Sequence, residues 1–302
     1  MDIHNLRAFA RVADSGSFSR AAESLHLTQP AVSKRVALLE QHLDTVLFDR
    51  IGRQVTLTEA GQALLPHARA IELELRAAEQ AVRDLSGDVA GRLRLATSHH
   101  IGLHRLPPVL SEFSNTAPAV HVDIDFMDSE QAYELISQGN AELAVVTLAP
   151  GGKSPLIARP IWHDELLFMV GRNHPLGARL TALYSEEPGT HGAGLAALSK
   201  FPAVLPGLGT YTGQIIKQLF DLHGLQLNVS LATNYLETIR MMATVGLGWT
   251  VLPQSMCDDS LQVFTIHNVT LSRNLGIVYH RDRSLSRAAR LFIATLERFA
   301  DQ

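Results

Sequence analysis

The side chains best suited to chemistry lie at the ends of apolar runs. Thr97-Ser98-His99-His100 ends the run 93–96 and leads into a helical stretch near Ile101. Hydroxyls, imidazoles and free backbone N–H groups at such a point suit a carboxylate or similar anion. Met127-Asp128-Ser129 ends the run 120–126, Thr147 closes 143–147, and Gly207-Leu208-Gly209-Thr210-Tyr211-Thr212 follows 203–205. Asn234 and Tyr235 open a further helical stretch and are weaker candidates. Each hydroxyl is as well placed to cap a helix as to meet a ligand, and the two roles coexist where a helix end faces a cleft. His100 and His104, four apart, have the spacing of a metal pair, but no third ligand lies near them in sequence, so no metal site is expected. Cys257 is the single cysteine, which excludes an intrachain disulfide and a four-cysteine zinc site. A Gly-x-Ser-x-Gly elbow, a P-loop and a dinucleotide fingerprint are all absent, and nothing singles out a catalytic pair among the 14 histidines.

The elements that must position these groups follow from the pattern of the chain. Its 302 residues allow two or three units, and 46% hydrophobic with 19% charged residues describes a soluble globular protein. The net charge of −4 excludes a basic nucleic-acid coat. No apolar run reaches the roughly 18 residues that span a bilayer, and the first 14 residues lack an apolar signal core, so a cytoplasmic location is expected. Residues 1–88 read as helical apart from the short β-prone stretch 48–57. From Gly91 onward strand-like runs at 93–96, 120–126, 143–147, 166–170, 203–205, 229–232, 249–252, 263–266 and 276–279 alternate with helical stretches. That alternation predicts α/β units with largely parallel sheets. Ser86-Gly87-Asp88 reads as the linker, 185–194 as an exposed loop, and Met241, Met242 and Trp249 as core.

The amino-terminal residues have their own logic. Ser17 can cap a short helix with Phe18, Ala21, Ala22 and Leu25 on one face, and small Ala21 and Ala22 let another helix cross closely. His26-Leu27 turns the chain, and Thr28 can cap a second helix with Pro30 in its first turn. There Val32, Val36, Leu39 and Leu43 form the buried stripe, leaving Pro30, Ser33, Lys34, Ala37 and Gln41 on the opposite side. Two helices of this kind fit a helix-turn-helix, although any small amphipathic bundle shows the same spacing. Local charge adds little, with seven Lys/Arg against six Asp/Glu over residues 1–58, but Lys34 and Arg35 lie on the second helix and Arg50 and Arg53 beside the β-prone turn. Thr58 can cap a long helix in which Leu64, Ala68, Ile71, Leu75, Ala78, Val82 and Leu85 recur at 4-3-4 spacing, the seam of a coiled coil. Pro66 falls inside it and should kink it.

The runs Leu6-Arg7-Ala8-Phe9, Gly16-Ser17-Phe18-Ser19-Arg20-Ala21-Ala22, Leu27-Thr28-Gln29-Pro30-Ala31-Val32-Ser33, Leu39-Glu40, Leu47-Phe48-Asp49-Arg50 and Leu57-Thr58-Glu59-Ala60-Gly61 closely resemble the amino end of LysR-type transcriptional regulators. The resemblance implies a winged helix-turn-helix over 1–58 with its wing at 48–57, a dimerising linker helix over 59–88, and a two-lobed α/β effector domain over 91–302 with a periplasmic-binding-protein fold. Asp44 stands where the family usually has glycine, a substitution that a left-handed helix end tolerates. Arg35 stands where the family often has glutamine. On this reading Gln29, Pro30, Ser33, Lys34, Arg35, Arg50 and Arg53 meet DNA. Aligned to the family's pattern, Ser98, His99, His100, Ser129 and Thr147 from one lobe and Thr210 and Tyr211 from the other touch a small effector, expected to be an anion since this set holds no Asp or Glu. The expected partners are double-stranded DNA with an inverted repeat, further copies of the chain as a dimer of dimers, and the effector; no cofactor and no membrane enter. An enzyme or a ligand-sequestering protein built on the α/β part is the alternative, and the helix-turn-helix followed by a heptad helix is the feature that argues against both.

Overall fold

The computed structural model describes residues 1–51, 54–83, 89–151, 155–174, 193–266 and 268–301. Arg53, Leu85, the linker Ser86-Gly87-Asp88 and residues 185–192 of the expected loop lie outside them. The chain begins with three helices, α1 (Ile3–Ser15), α2 (Phe18–Ser24) and α3 (Gln29–Leu43), followed by the hairpin of β1 (Phe48–Ile51) and β2 (Gln54–Leu57). Ser17 caps α2 by accepting from Arg20 N at 3.4 Å. Thr28 occupies the cap position of α3 in extended backbone without a side-chain bond. Asp44 ends α3 in the left-handed region, φ 50° and ψ 40°, so it performs the helix-ending turn for which glycine is usual. Phe9, Phe18 and Phe48 meet at centroid separations of 5.3 and 5.8 Å, which fastens the hairpin to the helices.

Helix α4 (Glu59–Arg83) leaves this head, with the Thr58 hydroxyl accepting from Gly61 N at 3.1 Å and the helix running on through Pro66. Its seam divides. Leu64 and Ala68 pack into the head's own core, whereas Ile71 and Val82 are 39% and 69% exposed. The first part of the stripe therefore serves its own domain, and only the part beyond it is open to a second chain.

The remaining elements form two lobes. The first holds β3 (Gly91–Thr97), α5 (His99–His104), α6 (Leu106–Thr116), β4 (Val120–Phe126), α7 (Ser129–Gln138) and β5 (Leu143–Thr147). Next come β6 (Leu156–Gly171), α8 (Ala193–Leu198), β7 (Ala203–Leu205), α9 (Tyr211–Leu222), β8 (Val229–Ala232), α10 (Leu236–Thr244), β9 (Thr250–Pro253), β10 (Leu261–Phe264), β11 (Leu271–His280) and α11 (Arg287–Glu297). The main sheet has the order β10-β6-β11-β5-β3-β4, with β9 also on β6, while β7 and β8 pair separately. Among the described strands β3–β4, β3–β5 and β7–β8 pair in parallel, whereas β5–β11, β11–β6, β6–β10 and β6–β9 pair antiparallel. The expectation of largely parallel sheets is thus corrected. β11 returns from the second lobe and inserts between β5 and β6, running against both, and β9 and β10 run against β6 in the same way.

β6 and β11 join the lobes. Ile161, Trp162, Leu275 and Ile277 belong to the core of the first lobe, and Leu166, Phe168, Val170 and Leu271 to that of the second. Each strand leaves one core and enters the other, which makes the pair the hinge. Trp249 is fully buried as expected, but Met241 is 51% exposed, because the apolar run around it wraps a helix whose inner face is taken by Leu236, Ile239 and Ala243.

Candidate functional site

Two surfaces collect the candidate residues. On α3, Val32, Val36 and Leu39 are fully buried, which turns Gln29, Pro30 and Lys34 outward with Ser33 and Arg35 half-buried beside them. Gln29 Nε2 reaches Ser33 Oγ at 3.4 Å, so the first turn presents a joined amide and hydroxyl. Glu40 Oε1 accepts from Leu47 N at 2.8 Å and fixes the path from α3 to the hairpin, where Arg50 stands opposite Val55. Gly61 closes the arrangement, since a Cβ there would lie 2.2 Å from Leu47 O. A helix with a small polar outer face beside a two-stranded wing has the shape that enters a major groove while flanking groups hold the backbone.

The second surface is the cleft between the lobes. Ser98, His100, Ser129 and Thr147 line it from the first lobe, and Thr210 and Tyr211 from the second. His99 does not line it: its ring lies 5.3 Å from that of Phe126 and 4.7 Å from that of Tyr235, an aromatic contact beside the cleft. Ser129 does not cap α7, because Asp128 holds that position in a capping box with Gln131. Instead the Ser129 hydroxyl accepts from Thr147 N at 3.2 Å and ties the helix to β5. Thr210 does cap α9, accepting from Gly213 N at 3.1 Å and donating to Gly207 O at 2.7 Å.

Three charged residues of the cleft escaped the sequence reading. Asp128 and Glu130 line it, which corrects the expectation of a site without carboxylates. Arg273, on the hinge strand β11, reaches it from below with its guanidinium held by Asp164 Oδ2 at 2.8 Å and Thr212 Oγ1 at 2.9 Å. Nothing in local spacing announces Arg273; it stands between Ser272 and Asn274 in the strand and is buried all the same. The lobes are also tied directly. Asn234 Nδ2 donates to Asp128 Oδ2 at 2.7 Å, Tyr211 N donates to Glu130 Oε1 at 2.5 Å, and His104 Nε2 meets Glu237 Oε1 at 2.6 Å.

His100 is buried, and among the described residues neither ring nitrogen finds a hydrogen-bond partner. Burial first, then the fields of Arg273, His104 and Arg105, pulls its pKa down to about 3, so the ring is neutral at physiological pH. One nitrogen then donates and the other accepts, and both groups are expensive to leave unmatched. The free volume of the cleft is about 50 Å³, room for a few waters at the 10–15 Å³ or so that each needs. No group of three metal-ligating side chains exists among the described residues.

Comparison with known proteins finds both domains. Residues 3–62 match the family described as "Bacterial regulatory helix-turn-helix protein, lysR family", and residues 86–301 match "LysR substrate binding domain". A relative from Azotobacter vinelandii, an uncharacterized HTH-type transcriptional regulator in the ibpB-leuC intergenic region, is 65% identical over 108 residues, 36% of this chain and 75% of its own. A probable RuBisCO transcriptional regulator from Cyanophora paradoxa is 29% identical over 304 residues, covering 96% of this chain and 89% of its own. In fold, a full-length OxyR variant from Pseudomonas aeruginosa covers 100% of both chains with a TM-score of 0.71 at 21% identity. The chain belongs to the LysR family of transcriptional regulators, with a helix-turn-helix for DNA and a separate effector-binding domain.

Proposed function

We propose that this regulator reads an inverted-repeat operator with paired helix-turn-helix heads and responds to a small metabolite bearing an acid group in the inter-lobe cleft. Gln29 and Ser33 read base edges, Pro30 and Arg35 shape the contact, Lys34 takes a phosphate or a guanine, and Arg50 and Arg53 hold phosphates near the wing. The open part of the α4 seam pairs two chains, and the effector domains pair the dimers into a tetramer. The protein acts by binding and not by catalysis, in the cytoplasm where its operator lies. No described helix is long and apolar enough to cross a membrane.

The observation that carries the effector reading is the amino end of α9, which donates to a carboxylate from across the cleft that His100 also lines, its ring nitrogens without a hydrogen bond among the described residues. An acid group there gains from the positive end of the helix dipole and from its first-turn N–H. A ligand touching both lobes favours the closed arrangement by its difference in affinity for the two states, and closure changes the angle between paired domains. Selection of duplexes from a random-sequence pool with the full-length protein tests the DNA half. Enrichment of an inverted repeat is expected, and enrichment of sites without two-fold symmetry would overturn the paired heads.

A further inference from the structure

The carboxylate on α9 belongs to the protein itself. Glu130 stands in the first turn of α7, in one lobe, and its Oε1 accepts from the backbone N–H of Tyr211 at the first turn of α9, in the other. It is not needed to cap α7, where Asp128 and Gln131 already form the capping box. Its charge therefore sits between the positive ends of two helices, each of which favours an anion. Beside it, His100 is only 7% exposed and keeps two ring nitrogens without partners in the described residues. Arg273, the arginine of the cleft, is held through Nε by Asp164 and through Nη1 by Thr212. The seat thus has one anion position, and Glu130 fills it.

We infer that Glu130 is a built-in competitor: its carboxylate occupies the seat of the effector's acid group and must be displaced for the effector to bind. This rests on the reading of the cleft as a seat for an acidic ligand, and it narrows that ligand to a carboxylate. The Glu130 group shows that a planar two-oxygen acid fits between the helix ends, with His100 placed to meet the rest of the molecule. A tethered competitor acts at an effective concentration in the millimolar range or above, so it lowers the apparent affinity of every free acid by the fraction of time it holds the seat. Only a ligand with further contacts overcomes it, and generic cellular carboxylates are rejected. The same contact ties one lobe to the other, so its displacement is coupled to their movement.

Acetate is the probe. Full-length wild type, Glu130→Ala and Glu130→Gln are each titrated with sodium acetate against sodium chloride at matched ionic strength, with the thermal midpoint as readout and sodium sulfate as a parallel arm. Glu130→Ala should melt lower in chloride and be restored by acetate at a half-saturating concentration at least ten-fold below that of wild type, with sulfate weaker. Glu130→Gln keeps an oxygen for the Tyr211 N–H but no charge, and should fall between; it also serves if the alanine variant fails to fold. Acetate acting on wild type and both variants at the same concentration would overturn the competitor and leave the acidic-effector reading standing. Sulfate outperforming acetate would overturn the carboxylate assignment. Acetate and sulfate without effect on any of the three would sink the seat and the acidic-effector reading together.

Discussion

Arg273 and Asp164 form a buried ion pair where the two hinge strands run side by side, with Nε and Nη2 of the arginine each 2.8 Å from the same carboxylate oxygen. Burial pulls the guanidinium below its ordinary pKa while the field of Asp164 opposes that shift. Arg105 Nη2, 3.6 Å from Asp164 Oδ1, joins from α5's carboxy end, so the pair links the hinge to the helix that carries His100. Removing one partner leaves the other charge buried and uncompensated. Asp164→Asn should therefore cost about 3–5 kcal/mol in urea unfolding, whereas replacing both residues by apolar ones of similar volume should recover most of that. Equal stability of the single variant and wild type would show that solvent reaches Arg273.

His100 gives the cleft a pH dependence opposite in sense to that of a charged anion-binding histidine. Its folded pKa of about 3 lies below its ordinary 6.5, so between these values the unfolded chain binds the extra proton. Stability due to this group is then complete above pH 6.5 and is lost as pH falls through that window, by up to about 1.4 kcal/mol per pH unit. His174 and His280, also lowered by burial, act in the same direction. Urea unfolding from about pH 4 to about pH 8 should show a shallower acid slope for His100→Phe than for wild type. For the same reason ligand affinity should not fall as pH rises through 6.5 on account of His100. An identical slope in the two proteins would mean that His100 titrates normally.

The DNA-reading face separates two kinds of contact. Ser33→Ala removes a hydroxyl that the first turn of α3 presents beside Gln29. It should relax sequence choice at a cost of roughly 1–3 kcal/mol at the affected base pair. Arg53→Ala should weaken all sequences alike and reduce the salt slope by about one unit. Fluorescence anisotropy across a salt series distinguishes the two, and an Arg53→Ala protein unchanged in affinity and slope would remove Arg53 from the interface.

The proposed pairing seam is the part of α4 that the head leaves uncovered. Ile71 is 39% exposed in the single chain, whereas Ala68 is buried in the head, so a charge at position 71 strikes the partner contact and spares the fold. Ile71→Asp should lose one level of assembly in sedimentation. An unaltered oligomer would place the dimer contact elsewhere.

What the sequence disclosed and what it hid follow from the range of the interactions. The head was legible because its signals are local: Ser17, Asp44 and the capping bond of Thr58 each reach no further than four residues. The hydroxyls of the cleft stood at strand ends and could be found in the same way. Glu130 looked like an ordinary acid in a helix's first turn, and its role depends on Tyr211, 81 residues away. Arg273 depends on Asp164, 109 residues away, and both lie in strands that cross between cores. That crossing also concealed the first half of β6, where Arg159, Pro160, His163 and Asp164 interrupt the apolar pattern because no single core lies beneath them.

The hinge itself can be tested at Gly276. The register between β6 and β11 shifts here, Leu275 pairing with Trp162 and Gly276 with Pro160, so the strands approach closely where they pass between lobes. A Cβ at Gly276 would stand 2.1 Å from Arg159 O and 3.0 Å from Pro160 Cα, both backbone atoms that cannot swing aside. Gly276→Ala must push the strands apart, an overpacking that typically costs about 1–3 kcal/mol. Gly209→Ala is the control, since a Cβ there meets nothing within 4 Å. In urea unfolding the first variant should lose stability within that range and the second should not. Because both lobes hang from these strands, the same push should alter their closure, and Asn234 should no longer reach Asp128. A Gly276→Ala protein as stable as the Gly209→Ala control would show that the strands separate freely at this point, and the hinge would have to be sought elsewhere along β6.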